Sequence, residues 1–390
     1  MAAGRSLYAK EDRRQLKPLP TTTVDIPFLV LVLLLLGVGL VMLYSASYAQ
    51  SEYDTGYTVT TKYLQKQGVC ALIGLAAMYG FSRIPAALWS RLAWPVYAVS
   101  ILLLLLVLVA GESVNGARRW INVAGIQFQP SEIAKFAMIV LLARLTKTFG
   151  ADAKTFRYGV LGFGCAMLGL LIPLALEKHL SAIMLMGMVG VVMMFVAGTR
   201  GKWLAAGAAS AGVFVIIYIT FMGYAGDRVT AWLHPEQDPA DTGYQILQSL
   251  YAIGSGGVFG LGLGRSRQKY LYLPFQYNDY IFAIICEELG LVGALGIIVM
   301  FAATIIRGYW IALHARDRFS TVLAAGLVTL IAVQTVLNLC VVTNLLPSTG
   351  IALPFFSYGG TALAVNLGEM GIVLQISRQR KQPKLQEVPL

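Results

Sequence analysis

The sequence predicts an all-α, polytopic integral membrane protein of about ten transmembrane helices, with both termini cytoplasmic. Three observations predict it. Of 390 residues, 57% are hydrophobic and only 13% charged, about half the charged share of an ordinary soluble domain. Apolar runs of about 20 residues recur from end to end, enough to cross a ~30 Å hydrocarbon core as helices. The runs are continuous rather than alternating, so strands do not explain them.

The runs place helices near 26–48, 62–82, 92–110, 131–146, 158–176, 180–198, 203–223, 280–306, 319–345 and 357–377. Residues 1–25 and 378–390 read as basic cytoplasmic tails around one transmembrane domain, 26–377. The first run is too long for a signal peptide and has no small-residue cleavage site, so it is expected to remain as a helix. With the N-terminus inside, 20 of the 30 Lys and Arg fall in cytoplasmic segments, which satisfies the positive-inside rule.

The formal charge of +11 calls for no nucleic acid; basic ends beside apolar helices meet anionic lipid head groups. Cys70, Cys165, Cys286 and Cys340 all fall in predicted helices without CxxC spacing and read as packing thiols. His179, His234 and His314 are scattered and form no zinc pattern.

The outer face carries the unusual chemistry. Lys62, Lys66, Arg118, Arg119, Lys135, Lys178, Arg228, Arg265, Arg267 and Lys269 lie outside or at the outer boundary in this topology. Three outer loops are rich in glycine and aromatic residues, and two of them also carry basic groups: "GESVNGARRWINVAGIQFQPSEIAK" from Gly111 and "GYQILQSLYAIGSGGVFGLGLGRSRQKYLYLPFQYND" from Gly243. The third is "NLLPSTGIALPFFSYGGTALAVNLGEMG" from Asn344. Cations beside an apolar wall suit a lipid-linked phosphate or pyrophosphate.

Glu132 and Lys135, three apart on one helix face, form either a local ion pair at a helix start or part of a polar cavity among the helices. Glu287 and Glu288 follow Asp279 by eight and nine residues, about 12 Å deeper on a helix. At least one of them is expected to meet a basic residue or a helix terminus inside the membrane, and "EELG" is a candidate helix interruption. Asp279 stands at the water-facing seam, where it either caps the eighth helix or does chemistry.

These segments resemble the SEDS family, the FtsW, RodA and SpoVE proteins of bacterial cell-wall synthesis. The pieces are "GLVMLYSAS", "NGARRWI" with "FQPSEIAK", "AIGSGGVFGLGLGRSRQK" followed by "YLPFQYNDYIFAIICEELG", and "VVTNLLPSTGIALPFFSYGGTA". Their order and spacing cover about Asp25 to Arg380, and "GLVMLYSAS" leans toward the FtsW and SpoVE branch. The resemblance implies a ten-helix glycosyltransferase that polymerises lipid II outside the membrane. It would work with a class B penicillin-binding protein and with other division or elongation proteins. The family's essential aspartate falls on Asp279, as general base or as ligand of a divalent cation, Mg2+ or Mn2+. Arg118, Arg119, Glu132, Lys135 and Lys269 become substrate-binding candidates; Glu287, Glu288, Ser357 and Gly359 become structural supports. Two departures stand out. Tyr280 follows the aspartate where relatives have Phe, and His179 stands where many relatives have an aspartate. A lipid II flippase and a noncatalytic division scaffold are the rival readings; no convincing inverted repeat favours a transporter.

Overall fold

The computed structural model describes residues 23–114, 117–123, 126–207, 231–237 and 243–379. The predicted helix at 203–223 lies mostly outside these residues, as do Arg228 and nearly all of both tails. The other nine predicted helices are present: α1 Ile26–Asp54, α2 Lys62–Phe81, α3 Ala86–Ala110, α4 Pro130–Phe149, α5 Phe163–Leu176, α6 Leu180–Val196. A helix absent from the sequence reading, α7, spans Tyr244–Gly256, and α8 Ile281–Leu313, α9 Arg318–Val342 and α10 Gly360–Ser377 complete the bundle.

Five spans are long and apolar enough to cross a membrane by length and composition: α1, α3, Arg157–Leu176, α8 and α9. The more polar α2, α4 and α10 owe their tolerance to position. Most of α4 is buried, and α10 packs along α2 so closely that a Cβ on Gly371 would sit 2.3 Å from the Met78 carbonyl oxygen. Small residues at such crossings bring helices together where lipid gives no hydrophobic drive. Side chains facing other helices avoid the cost of meeting lipid.

The cytoplasmic face is tied at one point. Asp25 caps α1 by accepting from the Phe28 N–H at 3.1 Å, and it takes two hydrogen bonds from Arg307 of α8 at 3.0 and 2.9 Å. The Asp25 N–H donates to the Ser377 hydroxyl of α10 at 3.1 Å. The first and last helices therefore end on the same side, as the basic-residue bias requires.

The outer face departs from the all-helical expectation in two places. The loop after α3 forms a small antiparallel meander, β1 Glu112–Val114, β2 Ala117–Val123 and β3 Ile126–Phe128. Asn115-Gly116 between the first two strands is a hairpin signal that the helix-centred reading passed over. The second departure is a broken α8. Gly290 adopts φ 68°, ψ −169°, and the segment after α7 folds into the break. Leu261 and Gly262 N–H groups donate to the Glu287 and Glu288 carbonyls at 3.0 Å each. Leu291 and Val292 donate to the Gly257 and Val258 carbonyls at 3.0 and 3.1 Å. Backbone groups freed inside a bilayer must find protein partners, and these four bonds supply them. Only glycine fits: a Cβ on Gly290 would lie 2.2 Å from the Gly260 nitrogen, and one on Gly260 would lie 2.2 Å from the Glu288 carbonyl oxygen. The "EELG" interruption is thus real, and its partner is a re-entrant loop. Of the four cysteines, Cys165 is exposed rather than buried.

Candidate active site

Asp279 sits in the last turn before α8, half-buried. The N-cap position weighed for Asp279 falls one residue later, on Tyr280, and no side chain caps the helix. The Asp279 backbone is clamped instead. Asn338 of α9 donates from one Nδ2 to the Asp279 carbonyl at 2.7 Å and to the Ile351 carbonyl at 2.8 Å. The Ser357 hydroxyl donates to the Asn278 carbonyl at 2.7 Å and accepts from the Leu353 N–H at 2.8 Å. The Tyr358 N–H donates to the Tyr277 carbonyl at 2.9 Å. Gly359 donates to Gln67 Oε1 at 3.2 Å, while Gln67 Nε2 donates to the Ser357 carbonyl at 3.2 Å. Ser357 and Gly359 thus brace the aspartate's loop, the support expected of them.

The Asp279 carboxylate lies against Gly350, where a Cβ would stand 3.3 Å from Oδ2. Gly350 has φ 68°, so a side chain there would be strained as well as crowded. Beside this mouth, Tyr63, Tyr277 and Tyr358 form a ring cluster with centroids 4.5 to 5.9 Å apart. Tyr63 also donates to Asp54, the partner of Lys62 at 3.2 Å.

A second group of charges lies between α4, α10, β2 and the α5–α6 junction. Glu132 and Lys135 form an ion pair at 2.8 Å with both side chains buried. Glu369 of α10 is 1% exposed, within electrostatic reach of both, and neither of its oxygens has a hydrogen-bond partner. Glu132 and Lys135 thus make the local ion pair weighed for them, buried among the helices beside a second carboxyl. At the junction, Arg119 donates to the Lys178 carbonyl. Burial pushes Glu177 up to about 8, opposed by Arg119. Burial, with help from Arg119 and Lys135, pulls His179 down to about 3, so its imidazole is neutral. Glu177 Oε1, His179 Nδ1 and the Ser131 hydroxyl are buried without partners. The Ser181 hydroxyl donates to the Thr349 carbonyl, next to Gly350, so this junction reaches the Asp279 mouth by way of one loop. Arg118 is exposed at the rim and donates to the Leu108 carbonyl at 3.3 Å.

Lys269 is a correction. The sequence reading set it against substrate, but it is 3% exposed and saturated. Its ammonium donates to Glu288 Oε1 at 3.0 Å, to the Gly264 carbonyl at 2.6 Å and to the Ser45 hydroxyl at 3.3 Å. An ammonium has three donors, and all are used. Glu288 also accepts from Ser45 at 2.7 Å and from the Ser266 N–H at 3.2 Å. Glu287 accepts from the Ser266 hydroxyl and from the Arg267 and Gln268 N–H groups. The two glutamates hold the re-entrant loop, and Glu288 meets the basic partner expected of at least one of them.

Sequence reasoning missed Asn338, Gly350, Glu177 and Glu369. Glu369 carried a signal, a lone carboxylate in an apolar run. Among the described residues, no three His, Cys, Asp or Glu side chains group as a metal cluster.

A family model described as "Cell cycle protein", built on FtsW, RodA and SpoVE, matches residues 26–382. The probable peptidoglycan glycosyltransferase FtsW of Geobacter sulfurreducens is 39% identical over 362 residues, covering 92% of this chain and 96% of that protein. The Stage V sporulation protein E of Bacillus subtilis is 38% identical, covering 92% and 98%. A chain from a peptidoglycan synthase complex that coordinates polymerization and crosslinking superposes with TM-score 0.78 at 28% identity, covering 92% and 99%. The rod shape determining protein RodA of Thermus thermophilus gives 0.69 at 26% identity, covering 92% and 98%.

Proposed function

The chain belongs to the cell cycle protein family of FtsW, RodA and SpoVE and is a peptidoglycan glycosyltransferase of the bacterial cytoplasmic membrane; we propose that it polymerises lipid II at the outer face, with Asp279 as the base. The observation that carries this reading is the placement of Asp279: half-buried at the outer end of α8, its backbone held by Asn338 and its carboxylate facing a side-chain-free wall at Gly350. A base at the seam reaches a sugar in the aqueous layer whose polyprenyl tail stays in lipid.

The reaction inverts the donor's anomeric carbon. The acceptor 4-hydroxyl gives its proton to Asp279 as its oxygen bonds to the donor C1, and the bond from C1 to the pyrophosphate oxygen breaks. Positioned base catalysis contributes about 10²–10⁴-fold. The departing pyrophosphate needs positive charge. Arg118 and Arg119 on the rim strand are the reachable cations, with the buried Lys135 below them. A divalent cation, Mg2+ or Mn2+, fits this set as one carboxylate plus the substrate's own phosphates, a common mode for Mg2+. When bound it would screen the leaving charge.

The similarity to a subunit of a synthase complex supports an assembly. We place a single-span class B penicillin-binding protein in it, alongside other division or elongation proteins. The deciding experiment supplies lipid II to purified protein, first in detergent and then in vesicles. Glycan strands are expected; lipid II crossing the bilayer without polymer would make it a transporter, and neither would leave a scaffold. In the same assay Asp279→Asn should remain folded and membrane-inserted while polymerisation falls by about 10²–10⁴-fold. Near-normal polymerisation by this variant would remove Asp279 from the chemistry.

A further inference from the structure

The re-entrant loop has an outward face that the reaction at Asp279 does not use. Its inner face is neutralised, because Lys269 is spent on Glu288 and Glu287 is held by the loop's own donors. Its outer face carries Arg265 and Arg267, both exposed, neither guanidinium with a hydrogen-bond or ion-pair partner among the described residues. They line a cavity of about 750 Å³ together with Gln268, Tyr270 and Tyr272.

A second cavity of about 350 Å³ shares Gly264 and Tyr270 with the first, so the two form one groove. The second half runs along α1 and is walled by Val41, Tyr44, Tyr48 and Leu263, with Ser45 and Lys269, both engaged by Glu288, also on its lining. Leu263, Tyr270 and Tyr272 are each more than half exposed. Tyr48 engages Glu52 at the outer end of α1, so this carboxylate is turned toward a tyrosine, and Glu288 below is held by Ser45 and Lys269. The loop is anchored at Glu287 and Glu288, six and seven residues after the start of α8, or about 10 Å along the helix from its outer end. The two arginines therefore stand near the outer end of the bundle, with an apolar lane beside them.

We infer that this groove binds a polyprenyl diphosphate, the isoprenoid chain lying along Tyr44, Tyr48 and Leu263 and the diphosphate on Arg265 and Arg267. A single guanidinium satisfies one phosphodiester. Two unpartnered guanidiniums on one loop match a head with two adjacent phosphates, which each fork holds by paired, charge-assisted bonds. Flat tyrosine faces suit the flat, unsaturated units of an isoprenoid chain better than they suit a saturated acyl chain. The inference rests on the reading of this chain as a polymerase of a lipid-linked precursor. Each turn of that reaction frees one polyprenyl diphosphate, and a site apart from Asp279 would take it from the reaction centre without leaving the outer leaflet.

The test uses the full chain in phosphatidylcholine nanodiscs, with undecaprenyl diphosphate or phosphatidylglycerol added and bound lipid counted by native mass spectrometry. Lipid II polymerisation is measured on the same preparations. Arg265→Gln with Arg267→Gln should lower the saturating count of undecaprenyl diphosphate by one per chain, or weaken that site by about tenfold or more. Leu263→Asp, which sets a carboxylate in the apolar lane at an exposed position, should do the same. Asp279→Asn should leave this count intact. An unchanged count in both groove variants overturns the site, and equal occupancy by phosphatidylglycerol overturns the identity of its occupant. If the count behaves as expected while wild-type chain makes no glycan, the groove stands and the polymerase reading falls.

Discussion

Two buried clusters of charge lie in this bundle, and they are built on opposite principles. Around Lys269, every charged atom is spoken for: one lysine, two glutamates, two serines and the backbone of a glycine-rich loop form a closed set. Around Lys135, one lysine faces two glutamates, and buried atoms of Glu369, Glu177, His179 and Ser131 are left without partners. Burying a polar group without a partner costs about 1–3 kcal/mol by mutational measures. A fold accepts such a cost where another molecule or a proton is to be received. The closed set holds a loop in a broken helix. The open set lies under the rim that reaches Asp279.

Breaking the closed set should have the largest effect, and the effect should fall on folding. Lys269→Met leaves Glu288 buried beside one hydroxyl donor, Ser45, and one backbone N–H, that of Ser266, and no cation. Removing one partner of a buried pair costs about 3–5 kcal/mol, so this variant should melt far lower in detergent and accumulate poorly. Adding Glu288→Gln keeps acceptors for Ser45 and Ser266 while removing the stranded charge, and should recover about half of the loss. Polymerisation per folded molecule should be close to normal in the double variant. A loss there as deep as that of Asp279→Asn would erase the distinction between the clusters.

The open set should answer in the reverse sense. Glu369→Leu keeps the volume, removes a carboxylate with no partner and leaves Glu132 and Lys135 as a balanced pair. Stability should rise by about 1 kcal/mol, since a buried carboxyl group without hydrogen bonds is costlier than an apolar side chain. Polymerisation should fall about tenfold, equivalent to about 1.4 kcal/mol. A thermal melt and a lipid II assay on one preparation read both. A variant that is more stable and equally active would mean that the second carboxylate serves nothing in the reaction.

Both clusters were partly visible in the sequence, and the limits have physical causes. Among the described residues, nine of ten helices followed from apolar run length, because the bilayer sets that length. The broken α8 was signalled by two glutamates and a glycine inside such a run. Its companion α7 was not, because 13 amphipathic residues are too few to register as a span. Asp279 was singled out by its place at a seam and by resemblance. Lys269 was assigned to substrate because nothing local reveals that a loop 19 residues before Glu288 folds back onto it. Gly350 and Asn338 were invisible as site residues, since one contributes an absent side chain and the other a backbone clamp.

The two buried groups at the α5–α6 junction are separated by pH, and because their slopes oppose, the net effect on wild type is small. Glu177 has a folded value of about 8 against an ordinary 4.5. As pH rises above 4.5, the unfolded chain releases this proton while the folded chain keeps it, so stability falls with rising pH until about 8. His179 is held at about 3 against 6.5. Its contribution is fully present above pH 6.5 and is lost as pH falls toward 3, because the unfolded imidazole takes up a proton that the folded one refuses. Between pH 4.5 and 6.5 the two slopes oppose, so the wild-type melting temperature should be nearly flat there. Single variants uncouple them. Measured at pH 5, 6.5 and 8, Glu177→Gln should gain on wild type as pH rises, and His179→Gln should gain as pH falls. Three parallel curves would mean that water and protons reach the junction freely, and the open cluster would then owe its missing partners to solvent rather than to a substrate still to arrive.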